Sequence, residues 1–204
     1  MKSIRYTCEW PTSDPLLTNY HDKEWGVPVH SDRKLFEFLV LEGFQAGLSW
    51  LTVLRKRENF RKAFDNFDFH KIAAYDKRKI ASLMKDSGII RNRLKIEGAV
   101  KNARAFLKVR EEFGTFNNFI WGFTGGKTVH NGFQSLSELP ARTDLSDRIS
   151  RNLKKGGFTF VGSTIVYAHM QATGMVNDHI AKCFRYRELG GNAGKRARAK
   201  DLKS

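Results

Sequence analysis

Between Arg91 and Phe113 the chain carries one long amphipathic pattern, which limits the fold more than any other feature. Ile96, Val100, Ala103, Phe106 and Leu107 recur at helical spacing, and Lys101, Arg104, Lys108 and Arg110 fall on the opposite side. A helix of that length cannot cover its apolar stripe alone, so other helices must pack along it. The remaining sequence supplies them. Asp32 can cap a run with Leu35, Phe36, Leu39 and Val40 on one side, and Leu51 to Phe64 repeats the pattern with Leu54, Phe60 and Phe64. Asp68 can open a short helix through Ile72 and Ala73, and Lys77 to Lys85 places Ile80, Leu83 and Met84 together. Asp144 to Lys155 stops at Gly156-Gly157, and the apolar run Gly162 to Thr173 stops at Gly174. Asn177 or Asp178 then starts a further turn carrying His179 and Cys183. Phe158-Thr159-Phe160-Val161 alternates, but four residues do not make a sheet. The expected fold class is all-α.

The 204 residues suffice for one buried core, or a core plus a subdomain. We expect one domain over residues 1–190 and a mobile basic tail over 191–204, where Asn192 to Ser204 has almost no large apolar residue. With 41% hydrophobic residues the chain is no disordered segment, and no apolar run is long enough to cross a bilayer. Met1 to Tyr6 lacks an apolar stretch, which argues against a signal peptide and for the cytoplasm. The formal net charge is +15. Such a charge attracts polyanions, and nucleic acid is the first candidate because binding it releases counterions. A merely basic soluble protein fits the charge as well.

The only two cysteines lie near opposite ends, each with a histidine nearby: Cys8-x12-His21 and His179-x3-Cys183. The second pair is spaced i, i+4, which on a helix puts both side chains on one face. Two thiolates and two imidazoles form the closed tetrahedral set that structural zinc favours. Such a site would tie the N-terminal segment to the C-terminal one. Two inert buried thiols are the alternative that spacing alone leaves open.

Glu42 interrupts the apolar stretch Phe38-Leu39-Val40-Leu41-Glu42-Gly43-Phe44. A buried carboxylate is costly unless it is paired or used. Trp10, Tyr20, Trp25 and Trp50 are aromatics with polar handles. Flat walls and one carboxylate suit an extruded, positively charged base; core packing and an arginine partner for Glu42 are the alternative. Asp86-Ser87-Gly88-Ile89-Ile90-Arg91-Asn92-Arg93 separates two helices. Gly88 would permit a tight turn, Ile89 and Ile90 would anchor it, and Arg91 or Arg93 would point outward with the helix amides to grip a phosphate. An ordinary interhelical turn has the same appearance. Gly126-Lys127-Thr128 ends like a P-loop, but Trp121 stands where the motif needs its first glycine, so we reject it.

Four stretches together resemble the DNA-3-methyladenine glycosylase I family: Tyr20 to Pro28, Leu41 to Trp50, Gly88 to Arg93, and Val176 to His179. The resemblance spans roughly Tyr6 to Arg185. It implies a helix-hairpin-helix fold with a zinc-stapled subdomain joining the two ends of the domain. The implied activity is monofunctional hydrolysis of the N-glycosidic bond of 3-methyladenine in double-stranded DNA. It also implies one structural zinc on Cys8, His21, His179 and Cys183, and no membrane partner. Glu42 takes the base-recognising and catalytic position, Tyr20 and Trp50 the stacking positions, and Trp10 and Trp25 further pocket positions. Gly88, Ile89, Arg91 and Arg93 fall on the DNA-gripping hairpin. Asn92 occupies the lysine position of lyase relatives, which argues against Schiff-base chemistry. No aspartate lies in Ala103 to Arg110, where many superfamily members hold one near the sugar. Leu17 departs from the tyrosine often found four residues before the zinc histidine. A monomer is expected. A binding module without activity would keep the zinc and the hairpin, but would not need Glu42 and the aromatics together.

Overall fold

The computed structural model describes residues 6–11 and 14–192, so the expected basic tail lies outside the described residues except for Gly191 and Asn192. Among the described residues ten α-helices follow one another: α1 (Pro15–Lys23), α2 (Asp32–Gln45), α3 (Trp50–Ala63), α4 (Phe69–Ala73), α5 (Lys77–Lys85), α6 (Arg93–Phe113), α7 (Phe116–Gly122), α8 (Asp144–Lys155), α9 (Ser163–Ala172) and α10 (Phe184–Glu188). The all-helical expectation holds. Its one addition is a two-residue parallel bridge pairing Val129 with Val176 and His130 with Asn177.

α6 is the axis of the larger core. Asn92 caps its start by accepting from the Lys95 amide, and Gly114 ends it at φ +77°. α2, α4, α5 and α7 pack along it. Ile96, Val100, Ala103 and Phe106 are buried as expected, but Leu107 is only half-buried, whereas Ala105 and Val109 are fully covered. The cause is a second buried face. The short alternating segment Phe158 to Val161 forms no strand, as its length implied, and lies against α6 as a bend with Phe160 at φ +55°. The Asn102 side chain donates to the Thr159 carbonyl at 2.9 Å and accepts from its amide at 2.8 Å. Gly98 leaves room for Phe160, whose ring would lie 2.8 Å from an added Cβ. Arg110 is likewise not the free surface cation its spacing suggested. It pairs with Asp32 at 2.8 Å and lies over the Phe69 ring.

Asp32 does not cap α2 either. Its carboxylate accepts from the amides of Phe116 and Asn117 and thereby holds the start of α7. Asp68 caps α4 as expected, and the capping box of Thr143 and Ser146 opens α8.

A second core joins α1 and the C-terminal segment around Cys8, Leu17, Tyr20, Trp25, Phe38, Ile180 and Cys183. Leu17 lies in this core. Helices α1, α2 and α3 are locked by buried charge. Arg57 donates to Glu37 at 2.7 Å and to Glu24 at 2.8 Å, and lies over the Phe38 ring. Arg61 also donates to Glu37 at 2.7 Å. These guanidinium groups hold Glu37 below the usual carboxylate range although its burial acts the other way. Removing one member of such a cluster strands its partners. Arg57→Met should therefore cost about 3 kcal/mol of unfolding free energy, whereas Glu58→Ala at the exposed edge should cost under about 0.5 kcal/mol. Urea denaturation of both variants measures the contrast, and equal losses would refute it.

Candidate active site and metal cluster

Glu42 sits in the last turn of α2, only 4% exposed, and among the described residues it has no hydrogen bond or ion pair. The arginine partner that would have made it a structural residue is absent among them. Burial raises its carboxyl from the ordinary value to about 8. Its side chain faces a cleft of about 220 Å³, lined also by Gln45, Ala46, Gly47 and Leu48, and by Thr164, Ile165 and Ala168 of α9. The turn between α2 and α3 uses Gly47 at φ +78°, a left-handed conformation that favours glycine. Ser49 then caps α3 and sets Trp50 at its first position.

The aromatics form a chain that starts at Tyr20, which feels the Glu42 charge, and none of them is among the residues that line the cleft. Tyr20 and Trp50 lie 5.3 Å apart, Tyr20 and Trp10 6.4 Å, and Trp10 and Trp25 5.1 Å. Tyr20 is buried; its phenol is pushed well up by desolvation and further by the nearby Glu42 charge. Trp50 is half-buried with an indole N–H that has no partner among the described residues, and the same holds for Trp10. Trp25 lies edge-on to His179 at 4.6 Å. The structure thus brings Tyr20, Glu42, Trp50 and Trp10 into one neighbourhood and places Trp25 between it and the cysteines. The α9 wall was missed from sequence, because threonine, isoleucine and alanine in an apolar helix carry no signal of a cleft.

Cys8, His21, His179 and Cys183 converge, all buried, with their ligand atoms within 4.8 Å of one another. Cys8 Sγ is 3.6 Å from His179 Nδ1, and Cys183 Sγ is 3.6 Å from His21 Nε2 and 3.7 Å from His179 Nδ1. The two inner nitrogens are 3.1 Å apart. Around a tetrahedral ion about 2.3 Å from sulfur and about 2.0–2.1 Å from nitrogen, the ligand edges measure roughly 3.3–3.8 Å. The outer nitrogens complete the argument. His179 Nε2 donates to the Trp25 carbonyl at 3.0 Å, and His21 Nδ1 donates to Asp22 at 2.7 Å. Neutral rings with those tautomers aim two lone pairs at each other and at two sulfurs, an arrangement a central cation relieves. The four side chains can hold a metal ion.

One expectation about this cluster needs correction. His179 and Cys183 do not share a helix face, since the chain from Asp178 to Cys183 is a turn and α10 begins at Phe184. A turn lets both ligand atoms point inward, where a straight helix would set them side by side. Buried Asp178 fixes that turn by accepting from Asn131 at 2.6 Å, Tyr167 at 2.5 Å and Gln171 at 2.8 Å.

The hairpin between α5 and α6 buries Ile89, half-buries Ile90, and leaves Arg91 and Arg93 exposed. Gly88 is needed for close approach instead of a left-handed turn. Its φ is not positive, and an added Cβ would lie 2.9 Å from Asp86 Oδ1 and 3.2 Å from Asn59. Lys56 holds the hairpin from α3 through the carbonyls of Ser87 and Gly88.

A helical fold with an unpaired buried carboxyl over a cleft, an outward-facing hairpin and a metal-ligand cluster defines the class to which the comparisons point. A family model described as methyladenine glycosylase matches residues 10–186. The chain is 49% identical to DNA-3-methyladenine glycosylase 1 of Escherichia coli over 88% of this chain and 96% of that one. It is 46% identical to the DNA-3-methyladenine glycosylase of Haemophilus influenzae over 86% and 95%. Among solved structures, a 3-methyladenine DNA glycosylase I superposes with a TM-score of 0.84 at 49% identity, covering 88% of this chain and 98% of that one. The 3-methyladenine DNA glycosylase I of Staphylococcus aureus, solved to explain its recognition of 3-methyladenine, superposes at 0.85 with 35% identity, over 87% and 95%. The chain belongs to the methyladenine glycosylase family.

The raised Glu42 carboxyl has a checkable consequence. Its folded pKa lies above the unfolded one, so its contribution to stability is complete below the unfolded pKa of about 4.3. That contribution is lost as pH rises toward 8. Glu42→Gln, which cannot ionise, should become more stable than the parent by roughly 1–4 kcal/mol between pH 4.5 and 8.5. Denaturation across that range tests this, and a constant difference between the two proteins would defeat it.

Proposed function

We propose that this chain excises 3-methyladenine from alkylated double-stranded DNA, acting as a monomer on a nucleotide flipped into the cleft beside Glu42. The carrying observation is the buried carboxyl of Glu42 on a cleft wall, without a partner among the described residues, its charge acting on Tyr20, which lies 5.3 Å from Trp50. The names of the relatives, and the recognition of 3-methyladenine by the S. aureus enzyme, support the choice of base.

Methylation at N3 makes the nucleotide's purine a cation, so the glycosidic bond is already weak. The enzyme must extrude the nucleotide, exclude water from the base and tolerate positive charge there. Around neutral pH the empty cleft holds Glu42 largely as its acid, and an arriving cation favours the carboxylate, which then accepts from the base edge. Tyr20 and Trp50 give the base its stacking face, and Trp10 and Trp25 complete the pocket from the side of the cysteines. A water oxygen bonds to the sugar C1′ while the C1′–N bond breaks. The bonding pair passes to the purine, which leaves neutral, and the proton of the water goes to solvent. Arg91, Arg93 and the amides that follow Gly88 and Ile89 grip the backbone phosphate. Residues 1–190 work as one domain.

The metal is structural zinc, one per chain, on Cys8, His21, His179 and Cys183. With all four positions filled by protein, zinc supplies a cross-link and no activated water.

The direct test is chromatography of free base after incubating methylated duplex with the protein. We expect 3-methyladenine release above the spontaneous rate at equimolar enzyme; its absence would overturn the function. Glu42→Gln should lower the single-turnover rate about 10- to 100-fold, the worth of one charge-assisted hydrogen bond, with duplex affinity changed less than twofold. For the metal, elemental analysis should give one zinc per chain. Cys183→Ser should lower Tm by roughly 10 °C or more; a metal-free protein of unchanged Tm would remove the zinc assignment.

A further inference from the structure

Helix α2 ends without the usual devices. Its terminal residue is followed by Ala46, which leaves the helical conformation at φ −47° and ψ 116°, and its last turn contains no basic side chain. The carbonyls left over there are met from another helix. Lys95, two residues into α6 and only 9% exposed, donates from Nζ to the Phe44 carbonyl at 2.9 Å and to the Ala46 carbonyl at 2.6 Å. A buried ammonium is costly, and this one is stabilised by two carbonyl dipoles at the negative end of a helix. The turn it holds, Gln45 to Leu48, supplies four of the eight residues lining the cleft, directly after Glu42. The same lysine stands four residues after Arg91 and two after Arg93, and its own amide is the one capped by Asn92.

We propose that Lys95 is a positioning residue for base excision: it ties the phosphate-gripping start of α6 to the cleft turn after Glu42, so that the cleft is set when the hairpin engages DNA. The inference rests on the glycosylase reading above. Lys95 touches neither the base nor the sugar in this arrangement. It acts through the backbone of residues 44–46.

The variants are Lys95→Met, which keeps the apolar stem and loses the ammonium, and Lys95→Gln, which keeps one donor. Both are compared with the parent at 10 °C, well below unfolding, with circular dichroism and metal content as controls for folding. We expect Lys95→Met to bind undamaged duplex within twofold of the parent, yet to excise 3-methyladenine at least tenfold more slowly in single turnover. It should also bind free 3-methyladenine at least tenfold more weakly by quenching of tryptophan fluorescence. Lys95→Gln should fall between the two. Hydrogen exchange should accelerate at the amides of residues 46–49 and not at those of α8. A merely structural lysine would lower Tm while leaving base affinity and rate of the folded protein unchanged, and that result overturns the proposal. If Lys95→Met does not fold, Lys95→Gln decides alone: a rate and base affinity within twofold of the parent sink the idea. Failure of the parent to release base would instead count against the glycosylase reading. Free-base affinity and local exchange then still decide whether Lys95 shapes the cleft.

Discussion

Helix α2 carries two buried carboxyls, and the difference between them organises this half of the molecule. Glu37 has two guanidinium groups within hydrogen-bonding distance and stays ionised in spite of burial. Glu42, five residues on, has no partner among the described residues and is pushed up to about 8. The paired site bears the mechanical load. Arg57 reaches Glu24, the residue that ends α1, and Glu37 of α2 from α3, so one side chain fixes the three helices that carry Tyr20, Glu42 and Trp50. A cluster of this kind adds little net stability over a well-packed apolar one, but it tolerates only one arrangement of its helices. That rigidity is what an unpaired carboxyl needs if it is to remain buried and aimed into a cleft.

The metal cluster constrains the same helices from the other side. His21 is the neighbour of Tyr20 on α1, and Trp25 lies against His179, so the turn from Asp178 to Cys183 sets where the aromatic chain begins. Asp178 and the short bridge between residues 129–130 and 176–177 hold that turn independently of any ion. Two supports of different chemistry thus converge on α1: buried ion pairs through Glu24, and the thiol–imidazole cluster through His21. Leu17 adds to the second of them as plain core. Where the family pattern often has a tyrosine, this chain keeps the packing and gives up a polar group.

The helices α2 to α6, α8 and α9 were legible because a 3.6-residue period leaves a mark wherever a helix has one apolar face, whereas α1, α7 and α10, of nine residues or fewer, were not read. Where a helix has two, the period misleads. Leu107 was misplaced because α6 is covered on a second side by Phe158 to Val161 through Gly98 and Asn102, and Arg110 because Asp32 and the Phe69 ring draw it in on the first side. The i, i+4 spacing of His179 and Cys183 was read as a helix, yet four residues also span a tight turn, and only convergence on a common centre tells the two apart. Glu42 and the four ligands stood out because each breaks a local rule: charge in an apolar run, or scarce residue types used in pairs. Lys95 and the α9 wall of the cleft break none. A lysine in an amphipathic helix reads as solvent-facing, and only the position of the end of α2 reveals that it is not.

A protein with a net charge of +15 poses an electrostatic question if its substrate base is a cation. The answer lies in distance. Surface charge acts on the phosphates, and beyond about 8–10 Å it is screened at physiological salt. Inside the cleft the near groups decide. Two buried cations of the surrounding helices are already committed, Arg57 to Glu24 and Glu37, and Lys95 to the backbone of Phe44 and Ala46. Glu42 lies in the final turn of α2, where the helix dipole presents its negative end. That dipole opposes ionisation of the empty carboxyl, in the same direction as burial does, and it favours a positive ligand. On the proposed reading of the cleft, a neutral adenine would gain little from either term, while a methylated one would relieve both. The discrimination against undamaged bases can therefore come from the cost of keeping Glu42 buried, without any group that touches the methyl itself.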